Sequence, residues 1–148
     1  MPAQSKTLSF YTDIYTTGTT AVLTTTSVLS MPAYYHNQST FNPPYNVLTF
    51  PSNPEKGCGY YGISSGLHTV TYKTTQDYVG TVTMQATLAS TPVEADWFPV
   101  DNTAQTYLYN PNLQTTSTVA LTFVGNFTWV RANVNISQGA LLAINYNF

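Results

Sequence analysis

The chain has 148 residues, 43% of them hydrophobic and only 7% charged, with a formal net charge of −2. This length suits one domain with a buried core over residues 1–148, of which 1–20 are an N-terminal arm or an edge strand. No apolar run reaches the roughly 18 residues of a membrane-spanning helix, no secretory signal is visible, and four scattered cations disfavour nucleic-acid binding. The single cysteine, Cys58, precludes an internal disulfide.

Strands and turns are predicted along the whole chain, because Thr, aromatic and β-branched residues alternate between clusters of Gly, Pro and Asn. The first half predicts strands at 8–16, 21–29 and 45–50, with long loops at 30–44 and 51–66. The second half predicts strands at 67–74, 80–90, 105–109 and 140–148, with a turning segment at 92–101 and a loop at 110–114. Short strands at this spacing predict an all-β fold, specifically an antiparallel β-sandwich with jelly-roll connectivity.

A β-hairpin is predicted near the C-terminus, with strands Thr118–Val124 and Phe127–Val134 joined by Gly125-Asn126. In this register Leu121 lies opposite Val130. The period of two gathers an apolar face of Val119, Leu121, Phe123, Val130, Ala132 and Val134. The opposite face would carry Phe127, Trp129 and Arg131, which is too aromatic for a face that only meets water.

Residues able to perform chemistry are few. Glu94 and Asp96 form either a calcium-type oxygen cluster or a carboxylate pair, as a glycan hydrolase requires, or they cap turns, and we favour the caps. His68 is in phase with Val70 and is expected to face the core as a hydrogen-bonded residue. Cys58 is interpreted as a small residue filling a glycine-rich loop. We therefore predict a non-enzymatic protein with no catalytic residue, no metal and no cofactor.

Aromatic side chains provide the main candidates for binding. Three interpretations are open: a sugar-binding platform, a subunit interface, or a second apolar layer within the chain. Arg131 is expected to lie over the indole of Trp129 or to form a bidentate pair with a neighbour's carboxylate. The candidate interface and binding residues are Tyr34, Tyr35, Tyr60, Tyr61, Trp97, Phe127, Trp129 and Arg131.

Three segments carry a resemblance to a known family: GYYGISSGLHTVTY, GTVTMQATLASTPVEADWF and FVGNFTWVRANV. In this order they resemble a small β-sandwich virion protein of marine tailed phages, especially the contractile-tailed phages of cyanobacteria. The resemblance covers about residues 58–134. Its hallmark positions, which imply structural roles only, are Gly59, Tyr60, Tyr61, Gly62, His68, Trp97, Gly125, Trp129 and Arg131.

The resemblance implies a virion component, either a capsid decoration protein or a tail or neck accessory, assembled in the cytoplasm of a host bacterium. Its expected partners are other virion proteins and further copies of itself, without nucleic acid or membrane. The alternative expectation is a carbohydrate-binding module that adheres to host-surface glycans. The scarcity of charge favours packing against subunits, because a neutral, hydroxyl-rich surface costs little to desolvate.

Overall fold

A computed structural model describes residues 5–15, 21–30, 48–108 and 116–148 of the chain. Apart from one 3-10 turn at Glu94–Asp96, its regular elements are strands. In chain order they are β1 (Ser5–Thr7), β2 (Phe10–Tyr15), β3 (Ala21–Thr26), β4 (Leu29–Ser30), β5 (Leu48–Pro51), β6 (Glu55–Lys56), β7 (Leu67–Thr74), β8 (Val79–Thr87), β9 (Phe98–Pro99), β10 (Gln105–Tyr107), β11 (Ser117–Val124), β12 (Trp129–Gln138) and β13 (Ala140–Asn147). The predicted all-β class is confirmed.

The strands form two antiparallel sheets, called here sheet I and sheet II. Sheet I has the order β1-β13-β7-β11, and β4 pairs with β13. Sheet II has the order β10-β8-β12-β5, with β6 beside β12 and β9 beside β8. The antiparallel β-sandwich is therefore confirmed, whereas jelly-roll connectivity stays a prediction. Strands β2 and β3 form a separate pair, and an isolated bridge joins Phe10 to Ser52.

The core lies between the two sheets and follows the period-two alternation of their long strands. On β7 every second residue is buried, and β8 and β12 show the same pattern. The largest contributions come from aliphatic residues of sheet II and from aromatic and aliphatic residues of sheet I: Val82, Met84, Val130, Val134, Ile136, Val70, Tyr72, Ile144 and Tyr146. This dry interior is what holds the sheets face to face.

The predicted hairpin at 118–134 is wrong. Strand β11 pairs with β7 in sheet I, whereas β12 pairs with β8 in sheet II. The connection makes other hydrogen bonds instead of closing a turn: the Gly125 N–H donates to the Gly66 carbonyl at 2.9 Å, and the Thr128 N–H donates to the Thr87 carbonyl at 3.0 Å. The two predicted apolar rows do face inward, but they meet across the sandwich instead of sharing one sheet.

Other predicted elements agree with the structure in type and differ in bounds. The predicted strand 67–74 is β7, and 51–66 contains the short strand β6. In the last strand, a register shift between Leu141 and Ala143 leaves Leu141 buried and Leu142 only partly buried. The predicted loop 110–114, most of the loop 30–44, and with it Tyr34 and Tyr35, lie outside the described residues.

Candidate functional site

The glycine-rich loop between β6 and β7 lies directly on the connection between β11 and β12. The N–H groups of Gly57 and Gly59 donate to the carbonyls of Thr128 and Phe127 at 2.9 and 2.8 Å. A Cβ atom on Gly59 would lie only 2.3 Å from the Asn126 carbonyl oxygen, so only glycine permits this approach. The loop is thereby fixed in place, and it presents its two adjacent tyrosines at the surface.

An aromatic cluster forms around this loop from Tyr60, Tyr61, Trp129 and Phe148. Tyr60 contacts Tyr61 and Trp129 edge-on, at ring-centre distances of 5.3 and 5.2 Å. Tyr61 stacks on Phe148 at 5.4 Å, and the Lys56 ammonium lies 4.6 Å from the centre of the Tyr60 ring. Three of the predicted candidates, Tyr60, Tyr61 and Trp129, therefore come together, and Phe148 joins them.

Beside the aromatic cluster is a groove of about 270 Å³. Its lining includes Lys6, Glu55, Tyr61, Trp129, Tyr146 and Phe148. The groove lies where β1, at one edge of sheet I, comes close to β6, at one edge of sheet II. The Lys6 ammonium and the Glu55 carboxylate are 3.8 Å apart, so this ion pair links the two sheets across the opening.

Tyr146 is one of the lining residues of this groove, and its buried hydroxyl has no hydrogen-bond partner among the described residues. Burial raises the pKa of Tyr146, and the nearby Glu55 carboxylate contributes in the same direction. The hydroxyl consequently keeps its proton and can donate it in a hydrogen bond. Tyr146, Lys6 and Glu55 are not among the residues that were predicted from the sequence to bind.

Arg131 is the centre of a second constellation, on the outer face of sheet II. Its Nε donates to the Gln85 side-chain oxygen at 2.7 Å, and its two terminal nitrogens donate to the Glu94 carboxylate at 3.1 and 2.6 Å. The guanidinium lies 4.4 Å from the centre of the Trp97 indole. The predicted stacking on Trp129 is thus corrected to Trp97, and the bidentate carboxylate belongs to the same chain.

The segment 88–97 covers part of this outer face from within the chain. The Trp129 indole N–H donates to the Ser90 carbonyl at 3.1 Å, and the Thr128 hydroxyl donates to the Leu88 carbonyl at the same distance. Hydrogen bonding by Arg131 lowers the pKa of the Glu94 carboxyl, which keeps the pair ionised. Trp97 therefore packs against the Arg131 guanidinium, and it is not among the residues that line the groove.

Phe127 does not lie on the outer face where the hairpin interpretation placed it. It is half-buried at the end of the sandwich, with its ring 5.8 Å from His68 and 6.2 Å from Phe123. His68 is fully buried and stacks on Phe123 at 4.8 Å, so its predicted core-facing orientation is confirmed. Its Nε2 accepts the Cys58 N–H at 3.3 Å, and burial lowers the pKa of the imidazole.

The contacts of Asp96 and the burial of Cys58 indicate structural roles for both residues. The Asp96 carboxylate accepts the Val93 N–H at 2.8 Å, which confirms its interpretation as a turn cap. Cys58 is buried, and burial raises the pKa of its thiol. Within the described ranges, no three His, Cys, Asp or Glu side chains converge on a possible metal position, and no helix there is long and apolar enough to cross a membrane.

Comparisons of the chain with protein-family models, with curated proteins and with solved structures found no match.

Proposed function

We propose that the chain is a non-enzymatic structural subunit of a phage virion, which assembles by pairing the open edge of β11 with another copy of itself. The family resemblance of residues 58–134 supports the virion context. The observation that carries the assembly is the uncharged, regularly paired edge strand β11 together with the nearly neutral face of sheet I beside it.

The outer face of sheet I consists of rows of small polar and apolar residues. Thr122, Thr69 and Asn147 form one row across β11, β7 and β13. The neighbouring rows are Ala120 with Thr71 and Asn145, and Thr118 with Lys73 and Ala143. Lys73 is the one charged residue among these rows, so the face can be covered by a partner with little loss of ion hydration.

The backbone of β11 has an open edge. The hydrogen bond from Gly125 to Gly66 continues the ladder between β11 and β7, so by alternation Thr118, Ala120, Thr122 and Val124 direct their N–H and C=O groups away from β7. No described strand pairs with this edge. Natural edge strands are usually protected by lysines, prolines or bulges, and the eight residues of β11 contain none of these.

Two copies of β11 can pair with each other in an antiparallel register that suits the side chains of both strands. An antiparallel two-fold arrangement keeps core-facing residues together when its axis passes through Leu121. Thr118 then lies opposite Val124 of the second copy, and Ala120 lies opposite Thr122, so no like charges meet. The two sheets I would become one continuous sheet across the interface.

A pair of alanine-to-lysine variants tests the assembly. Ala120→Lys places a charge at the open edge, whereas Ala143→Lys places the same side chain on the same face of sheet I but on the interior strand β13. We expect the wild type and Ala143→Lys to form dimers or larger assemblies in sedimentation and light scattering, and Ala120→Lys to be monomeric with an unchanged circular-dichroism spectrum. A wild type that is monomeric at all concentrations, or an Ala120→Lys variant that assembles normally, would refute the proposal.

The virion context has a separate test. The folded wild-type protein should bind purified phage particles, and this binding should persist at moderate salt because apolar and hydroxyl contacts are little affected by ionic screening. Failure to co-sediment with particles would contradict the virion assignment and would leave the β11 measurement standing.

A further inference from the structure

The unpartnered hydroxyl of Tyr146 distinguishes the groove from the rest of the surface. Tyr146 is 1% exposed, and its hydroxyl is one of four buried side-chain atoms of the described structure without a hydrogen-bond partner. Buried polar groups are nearly always satisfied, by protein or by ordered water. Tyr146 belongs to the lining of a groove that is open to solvent.

Two cations, Lys6 and Lys56, and one carboxylate, Glu55, line the groove, and each has an interaction partner within the chain. Lys6 pairs across the strands with Tyr146, and Glu55 pairs with buried Val130, so both face the interior side of their sheets and point into the gap between them. Lys6 forms an ion pair with Glu55, and Lys56 lies over the ring of Tyr60, so neither ammonium group is left unpartnered. A neutral ligand with hydroxyl groups suits this arrangement, because it can donate to the carboxylate and accept from the ammonium.

Apart from Pro54, the remaining lining is aromatic, and the groove is small. The other aromatic residues of the lining are Trp129, Tyr61 and Phe148. Its volume of about 270 Å³ is close to the lower limit for small-molecule sites, roughly 300 Å³, which corresponds to one ring and not to an extended chain. A sugar ring combines a hydroxyl rim with a C–H face that packs against aromatic rings.

From these observations we infer that the groove binds a single neutral sugar ring, with the Tyr146 hydroxyl as a hydrogen-bond anchor and with Trp129 and Tyr61 as packing surfaces. The inference goes beyond the structural role proposed for the chain. It places the expected glycan adhesion in this groove, which Trp97 does not line because its ring packs against Arg131.

Fluorescence titration with neutral methyl glycosides of glucose, galactose, mannose and N-acetylglucosamine provides the test. The chain has two tryptophans, so Trp97→Phe leaves Trp129 as the reporter at the groove. We expect saturable binding of at least one glycoside, and saturation-transfer NMR on the unmodified chain should detect the same ligand. Tyr146→Phe should weaken binding about 2- to 10-fold, as expected for one hydrogen bond.

Tyr72→Phe is the matched control. The Tyr72 hydroxyl donates to the Thr103 carbonyl at 3.0 Å within the core, so its removal should lower stability and leave glycoside affinity unchanged. Tyr146→Phe should retain the stability of the wild type, because the lost hydroxyl has no partner in the free protein. Absence of saturable binding to every glycoside, equal affinity in Tyr146→Phe and wild type, or binding of inorganic phosphate or free glycine instead would overturn the inference. Ala120→Lys should bind the glycoside normally, which separates this result from the assembly experiment.

Discussion

The interaction of Arg131 with three partners leads to a quantitative prediction for Arg131→Lys, which keeps the charge and changes the geometry. Lysine cannot reproduce the Nε bond to Gln85 or the planar contact with Trp97. A hydrogen bond that involves a charged group contributes about 1.5 kcal/mol or more, and the cation–π contact contributes about 0.5 kcal/mol at a partly exposed site. We expect Arg131→Lys to lower the free energy of unfolding by about 2 kcal/mol.

Glu94→Gln should have a smaller effect, because the Glu94 side chain is 79% exposed and solvent screens the pair. We expect a loss of at most about 1 kcal/mol, which declines as salt is added. Urea unfolding at fixed pH and ionic strength, followed by circular dichroism, measures both values, with Lys73→Met on the exposed face of sheet I as a control. A free energy of unfolding for Arg131→Lys within about 0.5 kcal/mol of the wild-type value, which is about the error of such measurements, would contradict the prediction. So would a larger loss of stability in Glu94→Gln than in Arg131→Lys.

Two further predictions concern a buried histidine and two glycines. Because burial lowers the pKa of His68 from its usual 6.5, the unfolded chain binds a proton that the folded chain resists, so stability should be constant above about pH 6.5 and decrease as the pH falls below it. Urea unfolding between pH 7 and 5 should show this slope in the wild type but not in His68→Asn, and a flat wild-type profile would contradict it. Gly139 and Gly62 both have positive φ, of 74° and 69°, but a Cβ on Gly139 would lie 2.6 Å from the Tyr78 nitrogen whereas one on Gly62 meets nothing within 4 Å. Thermal and urea unfolding should show that Gly62→Ala costs about 1 kcal/mol and Gly139→Ala about 3 kcal/mol, and equal costs would refute the argument.

The sequence predicted which residues face the core better than it predicted which strands pair. Alternation assigned Leu121 and Val130 to apolar faces, and both side chains point into the sandwich. It also made Gly125-Asn126 look like a hairpin turn, because a turn signal is local and carries no information about distant partners. The competing hydrogen bonds to Gly66 and Thr87 come from segments about 40 to 60 residues earlier in the chain, so no short-range pattern could reveal them.

For the candidate site, too, local sequence patterns were informative, whereas contacts between distant segments could not be predicted. The sequence singled out Tyr60, Tyr61 and Trp129, which do form one cluster. It missed the lysine and glutamate of the groove because β1 and β6 meet only in the folded sandwich. A signal for Tyr146 does exist in the sequence: a tyrosine at a position where alternation requires a core residue needs a partner for its hydroxyl, and phenylalanine would not. Applied along the last strand, that criterion selects the residue that lines the groove.

The two proposed surfaces lie at opposite edges of sheet I, and this separation lets them operate together. The order β1-β13-β7-β11 places the groove beside β1 and the open edge on β11. Three inter-strand spacings, about 14 Å, separate these edges, and seven spacings, about 34 Å, would separate the two β1 strands of a dimer paired through β11.

A site for one sugar ring binds weakly by itself, because a small ligand offers few atoms to contact. Assembly through β11 would leave every groove uncovered and repeat it across the particle, so that weak single contacts add to an effective adhesion by avidity. Pairing through β1 instead would cover the groove. An adhesive subunit would therefore need its open edge on β11, and β11 is the uncharged edge of sheet I, whereas Lys6 lies on β1 and pairs with Glu55 of sheet II.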